Sequence, residues 1–333
     1  MHAHTYTRPG LAAPVCLFAL TCALAPALET DGKFTEFTLP HPASGPTTIS
    51  IAPDGNLWFT EGSGNRIGRM APDGTGIREF DLPNPGSQPR IIAVGADKNL
   101  WFTEHLGNRI GRITPAGVLT EFPIPTPNCQ PRAIALGSDG NLWFGEFTGN
   151  RIGRVAPDGK IAEFPIPTPD SGPRAIAAGP DGNLWFSEFN ANKIGRITPQ
   201  GVITEFDLPR PATGPGDITT GTDGNLWFVE LSRNGVARIT TAGKVTEFQI
   251  PSPTGSPINI AVGPDRNIWY TKQSKLGRVT ADGTIMEFEI PTANGGATGL
   301  TAGSDRQPPD RLTGRLWFTE SGGNKIAFLS FKN

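Results

Sequence analysis

The sequence predicts an all-β protein that forms a single β-propeller with seven four-stranded blades. Two observations predict this fold. The seven tryptophans recur every 42 or 43 residues, apart from a last step of 48, at Trp58, Trp101, Trp143, Trp185, Trp227, Trp269 and Trp317. Each interval also carries four short apolar stretches separated by turn residues. A repeat of about 42 residues with four strands has the size of one propeller blade.

The unit at residues 171–209 shows why each stretch is a strand. Asp181-Gly182-Asn183 precedes Leu184-Trp185-Phe186, and it supplies the positive-φ and Asx residues of a tight hairpin. A second turn, around Gly201, follows an Ile-Gly-Arg-Ile stretch. We found no helical apolar period in any window of 11 or more residues after the N-terminal segment, so the sequence excludes a helical solenoid. The Trp and Ile side chains are predicted to pack between neighbouring blades.

The two ends of the chain predict how the ring closes. Glu-Phe marks the fourth strand of each unit, and its first copy, Glu36-Phe37, precedes the first tryptophan. The last unit ends after its third strand, at residues 324–331. We therefore predict that residues 34–40 form the fourth strand of blade seven, which removes the exposed edges of an open array.

Residues 1–27 differ from the rest of the chain and are predicted to be a signal peptide. Arg8 precedes an apolar run from Leu11 to Ala25, which is too short to span a bilayer comfortably. The prediction leaves residues 28–333 as the propeller, periplasmic or secreted, without a membrane span and monomeric. Cys129 is then the remaining cysteine, so no internal disulfide is expected. A net charge of -2 disfavours nucleic acid as a partner.

The residues that differ between repeats are the candidates for a binding site. The innermost strand of each predicted blade opens with a proline, or with Ala297 in blade seven. The residues that follow it are Thr47, Arg90, Arg132, Arg174, Gly216, Ile258 and Thr298. The arginines come from three consecutive blades, and they could form a basic arc at the upper channel mouth that binds a carboxylate or phosphate. The alternative is pairing with the acids three residues after tryptophan, Glu61, Glu104, Glu146, Glu188, Glu230 and Glu320. We expect this structural pairing.

Blades six and seven break the repeat. Lys272 replaces the acid in blade six, and an insertion at residues 304–314 lengthens blade seven. His41 and His105 lie in predicted upper-face connectors and are expected to be solvated. No histidine cluster, nucleophile elbow, phosphate loop or calcium loop is present in the sequence.

Three repeated motifs carry a family resemblance. They are Asp-Gly-Asn-Leu-Trp-Phe-Thr-Glu (residues 54–61), Asn-Arg-Ile-Gly-Arg-Ile-Thr (108–114) and Thr-Glu-Phe-Pro-Ile-Pro-Thr-Pro (120–127). From residue 34 to residue 331 the chain resembles the virginiamycin B lyase family, also called streptogramin B lyases. The resemblance implies a seven-bladed propeller and a carbon–oxygen lyase, which opens cyclic depsipeptides by magnesium-assisted elimination at the ester.

The resemblance also implies where that chemistry lies. The family's base is a histidine at the position of Thr298, and its metal-binding glutamates correspond to Gly296 and Glu320. A substrate-contacting histidine corresponds to Ile258. The resemblance therefore implies Mg²⁺ at Glu320, whereas Thr298 cannot act as a base. The sequence leaves open whether His41 or His105 takes that role instead.

Two further readings of the function stay open beside the lyase. One is a non-catalytic propeller that holds a protein or a small polar or peptide-like ligand at its upper face. The other is a lactone or ester hydrolase, which needs a carboxylate-rich metal centre in the channel.

Overall fold

The computed structural model describes residues 29–302 and 314–332, and all regular structure in these ranges is β. Twenty-eight strands form seven four-stranded antiparallel sheets, which follow one another around a central channel. The predicted seven-bladed propeller is thus confirmed. The predicted signal peptide and residues 304–313 of the insertion lie outside the described residues.

The first four blades follow the chain order. Blade one contains β2 (Pro46–Ile51), β3 (Leu57–Glu61), β4 (Arg66–Met70) and β5 (Arg78–Asp81). Blade two contains β6 (Pro89–Val94), β7 (Leu100–Glu104), β8 (Arg109–Ile113) and β9 (Leu119–Pro123). Blade three contains β10 (Pro131–Leu136), β11 (Leu142–Glu146), β12 (Arg151–Val155) and β13 (Ile161–Pro165). Blade four contains β14 (Pro173–Ala178), β15 (Leu184–Glu188), β16 (Lys193–Ile197) and β17 (Ile203–Asp207).

The last three blades complete the ring. Blade five contains β18 (Pro215–Thr220), β19 (Leu226–Glu230), β20 (Gly235–Ile239) and β21 (Val245–Gln249). Blade six contains β22 (Ile260–Val262), β23 (Ile268–Lys272), β24 (Lys275–Val279) and β25 (Ile285–Glu289). Blade seven contains β26 (Ala297–Ala302), β27 (Arg315–Glu320), β28 (Lys325–Lys332) and β1 (Glu29–Thr38). The N-terminal strand β1 pairs antiparallel with β28, which confirms the predicted closure.

The repeated apolar residues build the core between blades, as predicted. Trp58 of blade one is fully buried against Ile92, Leu100 and Phe102 of blade two. Within a blade, the tryptophan stacks on the phenylalanine of the fourth strand, with ring centroids 5.3 Å apart for Trp101 and Phe122. Such stacking adds directional contacts to the area that the rings bury.

The Ile-Gly-Arg motif requires its glycine because of a close approach. Gly111 lies opposite Phe102 in the β7–β8 ladder, and a Cβ atom there would come within 2.2 Å of the Phe102 ring. Any side chain would push the ring out of the core, so the glycine follows from packing rather than from a turn.

The two faces of the ring carry different loops. The Asp-Gly-Asn turns lie on one face, which we call the lower face, and Asn56 N–H donates to Asp54 Oδ1 there at 3.0 Å. The loops between second and third strands, and the connectors into the innermost strands, form the upper face. No helix long and apolar enough to cross a membrane occurs in residues 29–302 and 314–332.

Candidate functional site

The upper mouth of the channel forms a cavity of about 330 Å³ to which all seven blades contribute. One side carries Arg90, Arg132 and Arg174, the first-strand arginines of blades two, three and four. The other side carries Thr47, Ile258 and Thr298, from blades one, six and seven. Two residues further along the strands lies an apolar belt, formed by Ile49, Ile92, Ile134, Ile176, Ile260 and Leu300. Six of the seven positions that the sequence singled out line this cavity, and Gly216 of blade five does not.

The expected Arg–Glu pairing at this mouth is wrong. No ion pair or side-chain hydrogen bond joins the guanidinium groups of Arg90, Arg132 and Arg174 to another residue in the described ranges. The register explains this finding. Pro131 is the residue paired with Glu146, and Arg132 follows it, so the arginine side chain leaves the opposite face of the strand.

The glutamates instead lie fully buried inside their own blades. Glu61 accepts a hydrogen bond from Arg66 Nε at 3.0 Å, whereas both carboxylate oxygens of Glu146 and Glu188 have no partner among the described residues. Burial first, and then repulsion from the glutamate of the fourth strand, raises the pKa of both Glu146 and Glu188 to about 8. These carboxyl groups hold a proton near neutral pH.

Aromatic rings support two of the three arginines. The Arg132 guanidinium lies 4.9 Å from the centroid of Phe147, and that of Arg174 lies 5.4 Å from the centroid of Phe189. Each ring comes directly after the buried glutamate of the same blade. A cation over an aromatic face is attracted to the ring while its N–H edges stay free for a ligand.

His105 occupies the ring position in blade two. It is 8% exposed, which contradicts the expected solvated loop histidine, and its Nδ1 lies 3.3 Å from the Pro131 carbonyl oxygen. Burial, followed by the charges of Arg90 and Arg132, lowers the pKa of His105 to about 4. The imidazole is therefore neutral at physiological pH and a weak base. His41 is exposed as expected, and it contacts Glu79 on β5 outside the cavity.

Burial lowers the pKa of all three arginines. For Arg132, burial and then repulsion from Arg174 and Arg90 lower it to about 9, so the group stays charged at neutral pH. Burial acts alone on the pKa of Arg90, whereas for Arg174 the charge of Arg90 adds to the effect of burial and the charge of Asp217 opposes it. Three cations with one carboxylate beside them make a mouth whose empty form is electrostatically unfavourable and whose anion-bound form is favourable.

Asp217 is a cavity residue that the sequence reasoning missed. It is the third residue of β18, and its Oδ2 accepts a hydrogen bond from Ile260 N–H at 3.1 Å, which joins blades five and six. Burial raises its pKa to about 6, opposed by its own backbone hydrogen bonds and by Arg174. The sequence does contain a signal for Asp217, since an acid stands there where the three arginine blades have the apolar residues Ile91, Ala133 and Ala175.

The family's base and substrate positions hold residues without acid–base chemistry. The Thr298 hydroxyl lies 2.8 Å from Thr319 Oγ1 and donates to the Pro46 carbonyl oxygen at 3.2 Å, so it joins blade seven to blade one. Ile258 lines the cavity as an apolar residue, with its N–H bonded to the Thr271 carbonyl oxygen. Both residues reach the mouth, but neither can accept a proton from a substrate carbon.

The family's metal positions do not fit a magnesium ion. Gly296 offers no side-chain oxygen, and its φ of 62° disfavours any residue with a Cβ. Glu320 is fully buried and does not line the cavity, and burial followed by Glu36 raises its pKa to about 7. In residues 29–302 and 314–332 no three His, Cys, Asp or Glu side chains are grouped so that they could hold a metal ion. Mg²⁺ prefers ionised carboxylates in an octahedral set, which this chain does not supply here.

The comparisons with known proteins agree with the fold and with the motifs. The family model described as the virginiamycin B lyase family matches residues 25–215 and 167–333. A curated virginiamycin B lyase from Bacillus licheniformis is 45% identical over 42 residues, which span 13% of this chain and 14% of that relative. This match has the length of about one repeat.

Solved structures match over a much longer range. The virginiamycin B lyase of Staphylococcus aureus, in its selenomethionine form, has a TM-score of 0.84 and 39% identity, and the match covers 90% of this chain and 99% of that one. A catalytically inactive variant of the Staphylococcus aureus enzyme with quinupristin has a TM-score of 0.83 and 39% identity, with the same coverage. This chain therefore belongs to the virginiamycin B lyase family.

Proposed function

We propose that this protein binds a small anionic, peptide-like ligand at the upper channel mouth and does not perform the magnesium-assisted elimination that its family membership suggests. The observation that carries the proposal is the set of three charged arginines, Arg90, Arg132 and Arg174, which line a cavity and have no hydrogen-bond or ion-pair partner for their guanidinium groups in the described part of the chain. We refer to these three residues as the arginine arc. Three partly buried cations that share one carboxylate, Asp217, as counter-charge are costly, so their presence favours a ligand that supplies more negative charge.

The residues at the family's reactive positions support the same conclusion. An elimination requires a base beside the carbon that loses its proton, and a missing base forfeits about 10²–10⁴ in rate. Thr298 is engaged with Thr319 and Pro46, and His105 has a pKa of about 4. A hydrolase would need a carboxylate-rich centre, whereas Asp217 is the carboxylate that lines this cavity.

Turnover and binding together test this proposal. The purified protein is incubated with quinupristin, with and without Mg²⁺, and the ring-opened product is followed by mass spectrometry. We expect no linearisation above background. Magnesium-dependent linearisation would overturn the proposal, and incorporation of solvent ¹⁸O into a product would identify a hydrolase.

Thr298→His tests the base position separately, because Thr298 has an ordinary strand environment while Gly296 does not accept a side chain easily. We expect Thr298→His alone to stay inactive, since no donor set for the metal is restored. A scaffold for a protein partner would instead show no small-anion binding and would retain a partner in a pull-down.

Export is part of this proposal, because it places the ligand outside the cytoplasm. The intact mass of the protein recovered from producing cells tests it. We expect a periplasmic or secreted monomer that has lost about the first 27 residues, with cleavage near residue 27. A cytoplasmic protein of full mass would contradict export without affecting the binding proposal.

A further inference from the structure

We infer that the ligand of the arginine arc is a dianion whose two charged groups are joined by a short apolar linker, that is, a small dicarboxylate. This inference rests on the proposed function and narrows the class of ligand. It follows from the charge of one cavity, the arrangement of its arginines and its apolar belt.

The charge of the cavity sets the charge of the ligand. Arg90, Arg132 and Arg174 contribute three positive charges and Asp217 one negative charge, so the lining carries 3 − 1 = +2 at neutral pH. His105, which lies near Arg90 and Arg132, is neutral there because its pKa is about 4. A monoanion would leave one partly buried cation without a counter-charge, whereas a dianion neutralises the site.

The arrangement of the arginines on three successive blades favours two anionic groups over one. Each guanidinium presents a planar fork that matches the two oxygens of one carboxylate. The three forks come from three successive blades, and the stacking of Arg132 on Phe147 and of Arg174 on Phe189 fixes two of them in separate places. A single carboxylate cannot meet three such forks in bidentate geometry, but two carboxylates can share them.

The apolar part of the cavity and its volume indicate which linker between the two carboxylates would fit. The apolar belt lies two residues further along the strands than the arc, and under the same three blades it consists of Ile92, Ile134 and Ile176. These side chains line the cavity with the 4–6% of their surface that the core leaves exposed. A volume of about 330 Å³ is near the lower end of the usual range for ligand sites, about 300–1,000 Å³. These features fit a chain of a few methylene groups, and they exclude complete enclosure of a cyclic depsipeptide.

The experiment compares three probes by isothermal titration calorimetry on the purified protein at low ionic strength. Glutarate carries two carboxylates on a five-carbon chain, pentanoate carries one on a chain of the same length, and inorganic phosphate has no apolar linker. We expect glutarate to bind at least about tenfold more tightly than pentanoate, because it adds one charge-assisted pair. We expect phosphate to bind more weakly than glutarate.

The variants identify the side of the mouth that binds. Arg132→Gln is expected to weaken glutarate at least about tenfold, and Arg132→Lys, which keeps the charge but loses the fork, is expected to weaken it by an intermediate factor. Arg154→Gln is the matched control, because Arg154 lies in the same blade but on the lower face, where it contacts Trp143 and the Pro199 carbonyl oxygen. It is expected to bind glutarate like the unmodified protein.

Each contrary outcome points to a different error. Equal affinity for pentanoate and glutarate would overturn the dianion while leaving anion binding intact. Tighter binding of phosphate than of glutarate would overturn the dicarboxylate in favour of a phosphate ester. Binding of none of the three probes would overturn the proposed function as well, and unchanged glutarate affinity in both Arg132 variants would remove the arc from the site.

Discussion

The protein contains two sets of arginines in the same three blades, and the sets differ in their polar partners although both include contacts with aromatic rings. Arg112, Arg154 and Arg196 of the third strands lie over tryptophan rings on the lower face, and Arg154 donates to the Pro199 carbonyl oxygen at 3.0 Å. Arg90, Arg132 and Arg174 of the first strands have no polar partner in the described ranges. The third-strand arginine recurs in blades one to six, whereas the first-strand arginine occurs in three. The recurring set belongs to the scaffold and the restricted set is available to a ligand.

The difference also shows how one fold is adapted. The family resemblance locates its chemistry on blades six and seven, where this chain has Ile258, Gly296 and Thr298. The charged side of the same mouth lies on blades two to four. Because the ring gives every blade an equivalent position at the channel, a site can be lost on one side and gained on the other without any change in the core.

The largest expected effect is on ligand affinity, which should fall when a first-strand arginine is replaced and stay unchanged when a third-strand arginine is replaced. Arg174→Gln should weaken the binding of a small dicarboxylate by about 10- to 100-fold, because it removes a charge-assisted contact. Arg196→Gln in the same blade should leave affinity unchanged. Titration calorimetry measures both variants, and equal losses in the two would mean that the sets do not differ in function.

The next effect concerns Glu146 and Glu188, two buried scaffold residues whose carboxylate oxygens have no hydrogen-bond partner among the described residues. The pKa values of Glu146 and Glu188 in the folded protein are about 8, against an ordinary 4.5. The folded state therefore binds more protons than the unfolded state between about pH 4.5 and 8, and the free energy of unfolding falls as pH rises through this window. We expect the melting temperature to be roughly 5–10 °C higher at pH 5.5 than at pH 8.5.

Glu146→Gln provides the control for that prediction, because it keeps the shape of the side chain and removes its titration. We expect a smaller difference in melting temperature between the two pH values for this variant. A flat profile in the unmodified protein, or an unchanged slope in Glu146→Gln, would show that these carboxyl groups are ionised in the fold.

A smaller effect is expected on the stability of the ligand-free protein, and its sign should differ between a variant of the arginine arc and a variant of the third-strand arginines. Arg132→Gln removes a partly buried cation that repels Arg174 and Arg90, which outweighs the loss of its contact with Phe147, and it should raise the free energy of unfolding by about 1 kcal/mol. Arg154→Gln removes a ring contact and a hydrogen bond, and it should lower the free energy of unfolding by about 1 kcal/mol. Chemical denaturation at pH 7 measures both changes, and a loss of stability in Arg132→Gln would contradict the account of an unpartnered arc.

The smallest effect concerns Asp217. Asp217→Asn keeps an oxygen for the Ile260 N–H and raises the charge of the cavity lining to +3. We expect the affinity for a dicarboxylate to rise by roughly two- to fivefold, as removal of a like charge near the ligand suggests. A fall in affinity would mean that Asp217 contacts a donor group of the ligand.

The fold could be predicted from the sequence because every repeat carries the same pattern of tryptophan, turn residues and Glu-Phe pair. Trp58 and its counterparts are buried in the same way in every blade, and the Glu36-Phe37 copy before them predicted the closing strand. The site was predicted in part, since Arg90, Arg132 and Arg174 were recognised by their absence from other blades. The surroundings of these arginines were not predicted. Whether Arg132 can pair with Glu146 depends on the face of the strand from which each side chain projects, and the sequence alone does not give that register.

The sequence carries a second signal for this mouth in the residues that follow the second-strand acids. The residue after the strand-two acid is aromatic in blades three and four, at Phe147 and Phe189, and is His105 in blade two. Rings therefore accompany arginines blade by blade, which indicates stacking. Asp217 could be seen as a deviation, but its burial and its bond to Ile260 depend on the packing of two blades.

The most direct test of the account is a crystal structure of the protein soaked with glutarate. We expect electron density for the dicarboxylate at the upper mouth, with its oxygens within hydrogen-bonding distance, about 2.7–2.9 Å, of the guanidinium groups of Arg90, Arg132 and Arg174. Density on the other side of the mouth, against Ile258 and Thr298, would contradict the claim that the binding site of this propeller lies on blades two to four.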